Sequence, residues 1–299
     1  MLEWNTPQLC DGSWVRNITA ATDNYGNDCA FANMYLLRNK YNTQICRYRD
    51  FLLRKYYGAG AREGYGFPIG RGDTGKALGL IVDEAEASGK ELRFAFLTDE
   101  QRSELEEYMP GQFEYFTDSA DSDYIYERRE LADLSGRAFH KKKNHFSKFE
   151  RSYPGYIYEQ LGCANCEDAL MVAGAWCAEH AGEDEEAHRL EYDAIREALQ
   201  NIDELEMTGG IIYVKNRPIA MTVASYINED VIDVHYEKVI GVYAENGGYA
   251  AINRLFAKNC GGVCWLNREE DMGVEGLRRA KMSYHPKKMV RKYSARRKK

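Results

Sequence analysis

The sequence lacks any apolar run long enough to cross a membrane. None of its uninterrupted hydrophobic segments approaches the roughly 20 residues that a helix needs to span the hydrocarbon core of a bilayer. Its first residues, MLEWNTPQLCDG, also lack the basic start and the apolar centre of a secretory signal peptide. We therefore expect a cytoplasmic protein, in contact with a membrane at most from its periphery.

The eight cysteines do not have the spacing of a zinc ribbon. Two close pairs are present, Cys163 with Cys166 and Cys260 with Cys264, but the segment between the pairs is far longer than zinc ribbons use. Free thiols are typical of a cytoplasmic protein, and cysteine also packs as a small hydrophobic residue. We expect no metal site.

The glycine-rich stretch GRGDTGKA, residues 70–77, lacks one residue of each phosphate-binding motif that it imitates. A P-loop needs Ser or Thr after its lysine to hold Mg²⁺, and Ala77 stands there. A dinucleotide fingerprint needs an acidic residue at the end of the next strand, whereas Glu91 opens one. The stretch predicts a strand-to-helix turn, and a nucleotide-binding enzyme is the less favoured alternative.

Acidic residues outnumber basic ones overall, but basic residues are concentrated in two places. The net charge is −7, yet residues 287–299 carry eight Lys and Arg and no acid. Residues 137–151 carry six Lys and Arg and two His against the single acid Glu150. Each segment is either a solvated surface or a site for phosphates, and for residues 137–151 we favour the second, because the rest of the chain is acidic. The predicted polyanion-binding residues are Arg137, Lys141, Lys142, Lys143, His145 and Lys148.

One order of predicted elements occurs twice along the chain. Residues 43–108 and residues 211–282 each have the pattern of a hairpin, a strand, a helix, a strand and a helix. This repeat predicts an α/β protein with two mixed sheets, one in residues 1–155, including a basic linker helix, and one in residues 156–299. The order resembles that of the GNAT acyltransferase fold, in which the acyl donor enters a gap between two splayed strands.

The densest polar stretch is NREEDMGVEGLRRAKMSYHP, residues 267–286. It follows a short apolar run, residues 262–266, that is typical of a buried strand. Charges at the end of a buried strand are costly unless they pair or meet a ligand. The stretch is therefore either a charged helix start with a solvated face or part of a binding site.

Four stretches together resemble the family named for the C-terminal domain of bacterial phosphatidylglycerol lysyltransferase. They are FPIGRGD at residues 67–73, DYIYERRELADLSGRAFHKKKNHFSKF at 123–149, VHYEK at 234–238 with GGYAAINRLFA at 247–257, and LNREEDMGVEGLRRAKMSYHP at 266–286. The resemblance implies two tandem GNAT-like acyltransferase domains with the reactive site mostly in the second. It also implies transfer of an aminoacyl group from a charged tRNA to a lipid head group.

Acyl transfer needs a base for the nucleophile's proton, donors for the oxyanion and cations for the donor's phosphates. The predicted catalytic residues are His235, Glu237, Glu269 and Asp271. The predicted substrate-binding residues are Lys238, Tyr249, Asn253, Asn267, Arg268, Arg278, Lys281 and Tyr284. Most of them follow two strands that we expect to be neighbours, so we predict one cleft in the second domain.

Three hypotheses follow for the function. The first is an acyl- or aminoacyltransferase that uses aminoacyl-tRNA or acyl-CoA as its donor substrate, with no certain cofactor, and a hydroxyl or amine acceptor such as a small molecule or a lipid head group. The second is a protein that binds RNA, in particular tRNA, or a small molecule in the same cleft without catalysis. The third is the nucleotide-binding enzyme.

Overall fold

Two mixed sheets organise the chain in the computed structural model, which describes residues 2–58, 62–182 and 184–299. The strands are β1 (Gln44–Tyr48), β2 (Phe51–Tyr57), β3 (Glu63–Tyr65), β4 (Ile69–Gly70), β5 (Arg93–Leu97), β6 (Phe113–Thr117), β7 (Asp123–Glu127), β8 (Ile157–Gln160), β9 (Met207–Val214), β10 (Arg217–Tyr226), β11 (Val231–Val239), β12 (Trp265–Asn267), β13 (Lys288–Val290) and β14 (Tyr293–Arg297). The helices are α1 (Gly12–Thr19), α2 (Phe31–Leu36), α3 (Thr74–Ala87), α4 (Asp99–Tyr108), α5 (Arg128–Asp133), α6 (His140–Ser152), α7 (Cys166–Glu179), α8 (Glu185–Gln200), α9 (Val242–Glu245), α10 (Gly248–Asn259) and α11 (Glu275–Met282). Among these residues no helix is both long enough and apolar enough to span a bilayer.

The chain forms two compact units that are not continuous in sequence. Unit 1 contains residues 1–124, 269–278 and 288–299, and unit 2 contains residues 125–268 and 279–287. This division differs from the predicted one at residue 155, because residues 269–278 and 288–299 return to unit 1. Unit 2 begins at residue 125, where β7 pairs with β12, so the basic helix α6 belongs to unit 2 and not to the first domain.

The sheet of unit 1 has the strand order β1-β2-β3-β5-β14-β6, with β4 paired to β2. Within it β3 and β5 are parallel and joined through α3, while the other neighbours are antiparallel. One apolar core contains side chains from β3, from β5 and from α3, together with Phe67 just after β3. It includes Leu97 of β5 and also holds Phe51 and Leu105.

In unit 2 the strands follow the order β8-β9-β10-β11-β12-β7. The hairpin of β9 and β10 turns at Lys215 and Asn216, which both have positive φ angles, 51° and 61°. Such a turn matches the right-handed twist of the two strands. Strand β10 is buried along nearly its whole length because it lies in the middle of the sheet.

The basic tail is an ordered strand, which the sequence left open. Strand β14 lies between β5 and β6, and its neighbouring cations pair with acids of unit 1: Arg291 with Asp99 at 3.0 Å and Arg297 with Glu86 at 3.1 Å. Part of the tail's charge is thus used inside the fold, which weakens the expectation that the tail binds phosphates.

The glycine-rich stretch is the predicted strand-to-helix turn. Gly70 has a φ of 143°, and a β-carbon there would lie 2.0 Å from the carbonyl oxygen of Asp50. The carboxylate of Asp73 accepts a hydrogen bond from the amide of Lys76 at 3.0 Å, and its other oxygen pairs with the Lys76 ammonium at 3.0 Å. A side-chain anion therefore already caps the helix start where a phosphate would bind.

Candidate active site at the strand ends of unit 2

The parallel strands β11 and β12 separate after a short ladder. They pair from Val231 with Trp265 to Asp233 with Asn267, and β11 then continues to Val239 alongside β10 alone. Crevices at the carboxyl ends of parallel strands are common ligand sites in α/β proteins. Predicted site residues follow both strands here, so the splayed end is the candidate site.

A β-bulge changes which way the β11 side chains point. Val234 lies opposite Ala224 and Tyr236 lies opposite Val223, so His235 is an extra residue in the ladder. Simple alternation would put Val234 and Tyr236 on one face, and the one-residue shift puts them on opposite faces. The shift also puts Glu237 on the face covered by α10, and Lys238 on the face covered by α7.

On the α10 face an ion pair joins the two strand ends. Arg268, the first residue after β12, donates from Nη2 to Oε1 of Glu237 at 3.0 Å. The other oxygen of Glu237 accepts a longer hydrogen bond, 3.4 Å, from the Nδ2 atom of Asn253 on α10. Both charged side chains are nearly buried, with 13% of Arg268 and 11% of Glu237 exposed.

Two tyrosine rings and a lysine hold Arg268 in place. Its guanidinium carbon lies 5.8 Å from the ring centre of Tyr126 and 5.1 Å from that of Tyr284. The ammonium of Lys281 donates to the carbonyl oxygen of Arg268 at 2.5 Å. Burial lowers the pKa of Arg268, but Glu237, Tyr126 and Tyr284 together more than offset that effect, and the pKa is raised overall. Arg268 therefore stays charged.

A second cation reaches this cluster from the basic helix. The ammonium of Lys142 on α6 lies 3.9 Å from the ring centre of Tyr284. Burial, together with the positive charge of Arg268, lowers the pKa of Lys142 from 10.5 to about 8. A lysine with this pKa exchanges its proton near physiological pH, which is a property of catalytic lysines.

The cluster contains polar atoms without hydrogen-bond partners. The Nη1 atom of Arg268 and the Oδ1 atom of Asn253 are buried, and neither makes a hydrogen bond. Such atoms are rare in folded proteins because leaving them unpaired costs roughly 1–3 kcal/mol each. A bound ligand that offers an acceptor to Arg268 and a donor to Asn253 would remove that cost.

The remaining predicted residues of unit 2 lie on or near the other face. His235 is buried, with Nε2 2.8 Å from the hydroxyl oxygen of Ser225 and Nδ1 3.5 Å from the carboxylate of Asp233. Ser225 and Asp233 lie opposite each other in the ladder, on the α7 side. Because only 3% of the His235 side chain is exposed, this geometry favours a structural role over that of a general base.

Lys238 is also enclosed. Its ammonium pairs with Glu191 of α8 at 2.7 Å and lies 3.5 Å from the ring centre of Trp176 on α7. The hydroxyl oxygen of Tyr249 accepts a hydrogen bond from the Trp176 indole at 3.2 Å. Asn267 is fully buried at the end of β12. Lys238 and Tyr249 thus form a separate contact with α7 rather than part of the Glu237 cluster.

Three predicted residues belong to unit 1. The buried carboxylate of Asp271 accepts hydrogen bonds from Arg278 at 2.8 and 3.0 Å, from the Tyr124 hydroxyl at 2.5 Å and from the Gly273 amide at 2.9 Å. The hydrogen bonds from Arg278 lower the pKa of Asp271 to about 2. A carboxylate with so low a pKa is a weak base, and its hydrogen bonds suit it to anchoring its loop. Glu269 accepts a long bond, 3.5 Å, from Asn33 of unit 1.

The basic residues of and before α6 divide by exposure. Lys142 is half-buried against Tyr284, whereas Arg137, Lys141, Lys143 and His145 are exposed. The ammonium of exposed Lys148 donates to the carbonyl oxygen of Glu245 at 3.0 Å. Polyanion binding by the exposed residues stays a prediction, whereas Lys142 lies against Tyr284.

Sequence reasoning missed the role of Tyr126 and the separate role of Lys142. Tyr126 lies in β7, which the sequence did not place beside β12. The apolar spacing of residues 139, 146 and 149 in α6 was the available signal for Lys142. Position 142 is three residues after Phe139 and four before Phe146, so it falls on the buried side of the helix.

Comparison with known proteins agrees with this fold. Residues 19–296 match the model of the family described as phosphatidylglycerol lysyltransferase, C-terminal. Comparison of the sequence with curated proteins gives no match.

Three solved structures are similar over nearly the whole chain. A conserved protein of unknown function from Bacteroides thetaiotaomicron is 33% identical, with a TM-score of 0.93 and complete coverage of both chains. The C-terminal domain (DUF2156) of an Agrobacterium fabrum protein assigned as a lysylphosphatidylglycerol synthetase is 12% identical, with a TM-score of 0.67 and coverage of 98% of this chain and 93% of that one. L-PGS from Bacillus licheniformis is 13% identical, with a TM-score of 0.61 and coverage of 96% and 92%. The predicted fold, two tandem GNAT-like domains with mixed sheets, is confirmed.

Proposed function

We propose that this chain, which belongs to the phosphatidylglycerol lysyltransferase C-terminal family, transfers an aminoacyl group from a charged tRNA to a hydroxyl or amine acceptor. The observation that carries the proposal is the pair of Arg268 and Glu237 at the splayed ends of β11 and β12, with Lys142 beside it. The pair is buried and leaves one guanidinium nitrogen without a partner.

Arg268 supplies the oxyanion contact in this proposal. When the acceptor attacks the aminoacyl ester, the carbonyl electrons move onto the carbonyl oxygen, and a fixed donor lowers the free energy of that negative charge. The Nη1 atom of Arg268 is such a donor, because the two tyrosine rings and Glu237 fix its guanidinium in one place. Glu237 keeps the guanidinium oriented and balances its charge.

Lys142 accepts the proton. In its neutral form the amine takes the proton of the attacking hydroxyl or amine while the new bond to the carbonyl carbon forms. The tetrahedral intermediate then breaks the bond to the ribose oxygen of the donor, and the Lys142 ammonium returns the proton to that oxygen. A pKa of about 8 suits both steps, since the lysine can lose and regain a proton at neutral pH.

The exposed cations of α6 and the residues just before it bind the donor in this proposal. Arg137, Lys141, Lys143 and His145 form a basic surface on the same helical segment that carries Lys142. A phosphate backbone bound there would bring an aminoacyl end toward Lys142. Acyl-CoA is the alternative donor, and its phosphates would use the same cations.

The test is a transfer assay with total tRNA charged with a mixture of labelled amino acids. Vesicles that contain phosphatidylglycerol and a set of soluble amines serve as acceptors, and mass spectrometry identifies the product. We expect a product with the wild type, and a loss of about 100-fold with Arg268→Gln, comparable to the removal of one oxyanion donor. Arg297→Gln, which alters an exposed ion pair of unit 1, is the matched control.

A second candidate is tRNA binding without transfer, and the basic surface of α6 favours it. Binding of uncharged tRNA equal to that of charged tRNA, with no product from any acceptor, would support this candidate and overturn the first.

A further inference from the structure

Unit 1 contains two adjoining cavities that the proposed transfer does not use. They share Arg62, Phe96 and Lys292 in their walls, and their empty volumes are about 390 and 470 Å³. Met34 and Leu37 line the first cavity. Both volumes include space that is open to solvent.

The walls of the two cavities carry more negative than positive charge. Four carboxylates line them, Asp28 and Glu270 in the first and Asp118 and Asp121 in the second, against the two cations Arg62 and Lys292. Behind the walls, Arg54 pairs with Asp28 and Asp123 pairs with Lys292, and these two residues carry opposite charges. The residues that line the walls thus carry an excess of two negative charges.

Both cations in the walls are already paired. The ammonium of Lys292 donates to Asp123 and to Asn27, each at 2.6 Å, and is nearly buried. Arg62 donates to Asp121 at 2.7 Å and to Glu270 at 3.4 Å. A ligand carboxylate or phosphate would have to displace one of these carboxylates. The cavities therefore favour a cation and disfavour an anion or a zwitterion.

The carboxylate of Asp123, behind the walls, is buried. Burial, opposed by Lys292 and reinforced by the negative charge of Glu270, raises the pKa of Asp123 from 3.8 to about 6. A cation nearby would favour the charged form of this carboxylate.

Two further features belong to residues that line the first cavity. The Tyr56 hydroxyl is buried near the Arg54 guanidinium, and it makes no hydrogen bond. Phe96 has a φ of 58°, which is unfavourable for an aromatic residue, and lies where β5 has an extra residue relative to β14. Such bulges redirect a side chain, and strained residues cluster at binding sites. Here the ring becomes the shared wall of both cavities.

We propose that the paired cavities of unit 1 bind a short aliphatic diamine, with one ammonium near Asp28 and Glu270 and the other near Asp118 and Asp121. Two positive charges match the excess of two negative ones. Met34 and Leu37 suit a methylene chain. The inference does not rest on the proposed transfer, whose residues lie in unit 2.

Calorimetric titration of the full chain with 1,5-diaminopentane tests this site. We expect binding that is at least about ten-fold tighter than that of L-lysine, which has the same chain with an added carboxylate, and no binding of the neutral 1,5-pentanediol; ten-fold corresponds to 1.4 kcal/mol. Absence of diamine binding at millimolar concentration, or equal or tighter binding of lysine or of the diol, would overturn the proposal.

Variants locate the site. Glu270→Gln and Asp121→Asn should each weaken diamine binding by about ten-fold, because each removes one charged partner of an ammonium. Tyr56→Phe should weaken it about three-fold, through loss of one neutral hydrogen bond. Asp118→Asn should weaken diamine binding as well, and because Asp118 is exposed, this variant should still fold. Glu86→Gln, an exposed acid elsewhere in unit 1, is the control, and an equal effect there would refute the assignment.

Discussion

The parallel strand pairs of the two units have the same place in their sheets, but the residues at their ends differ in chemical character. In unit 2, β11 and β12 end in the buried pair of Glu237 and Arg268. In unit 1, β3 and β5 pair at Tyr65 and Phe94, and the residues that follow, Phe67 and Leu97, belong to an apolar core.

This difference indicates that the repeated element order preserves a scaffold and does not preserve an active site. A buried ion pair rarely stabilises a fold more than well-packed apolar residues of similar size would. In unit 1, residues at the same strand ends pack into an apolar core. The charges of unit 2 are therefore better explained by function than by stability, and the predictions below test that contrast.

The largest effect on stability is expected at Arg268. Arg268→Ala should lower the free energy of unfolding by about 3–5 kcal/mol, because it leaves the nearly buried Glu237 without its partner. The double variant Arg268→Leu with Glu237→Leu should recover most of that loss and remain inactive. Urea denaturation measures both. A double variant as unstable as the single one would mean that the cluster is a structural requirement.

The counterpart in unit 1 should respond in stability alone. Leu97→Ala should cost about 2–5 kcal/mol, because it opens a cavity at a fully buried position of the apolar core. The transfer rate per folded molecule, measured well below the unfolding temperature, should remain within two-fold of the wild type. A specific loss of transfer in this variant would show that the unit 1 strand ends also take part in the reaction.

Lys142 should impose a pH dependence. Below pH about 8 the lysine is protonated and accepts no proton, so the transfer rate should rise about ten-fold per pH unit and level off above that value. Lys142→Gln should be slow and should lack this rise. Because the folded lysine binds its proton less tightly than the unfolded one, its contribution to stability should also increase between pH 8 and 10.5. A transfer rate that falls as the pH rises through 8 would mean that Lys142 acts as a cation and not as a base.

The smallest effect concerns the basic surface of α6. Lys141→Ala with Lys143→Ala should reduce the slope of log affinity for tRNA against log salt by about one to two, since each lost phosphate contact releases fewer counterions. Lys215→Ala with Lys258→Ala removes the same charge from exposed positions elsewhere in unit 2. Equal slopes for the two double variants would place the RNA on another surface.

The sequence predicted the fold through its periodicity and its repeated element order. The hairpin of β9 and β10 and the turn at Gly70 could be predicted because local patterns determine them. The division into units could not, because β14 and β7 join their sheets through contacts distant in sequence.

The types of residue in the candidate site could be predicted from the sequence, but which of them lie together could not. Glu237, Arg268 and Asn253 meet as the strand-end argument suggests. His235 does not join them because it lies in a β-bulge. The bulge depends on the pairing with strand β10, so the pattern of residues 231–236 does not reveal it. The sequence pattern also does not reveal the four hydrogen-bond donors around the predicted catalytic carboxylate of Asp271.

The most direct test of the account is the rate of aminoacyl transfer by Arg268→Gln compared with Arg297→Gln, at equal folded concentration and pH 8.5. The account predicts a loss of about 100-fold for Arg268→Gln, since it removes the oxyanion donor at the unit 2 strand ends. Arg297→Gln, in an exposed pair of unit 1, should stay within two-fold of the wild type. Transfer by Arg268→Gln at the wild-type rate would contradict the central claim.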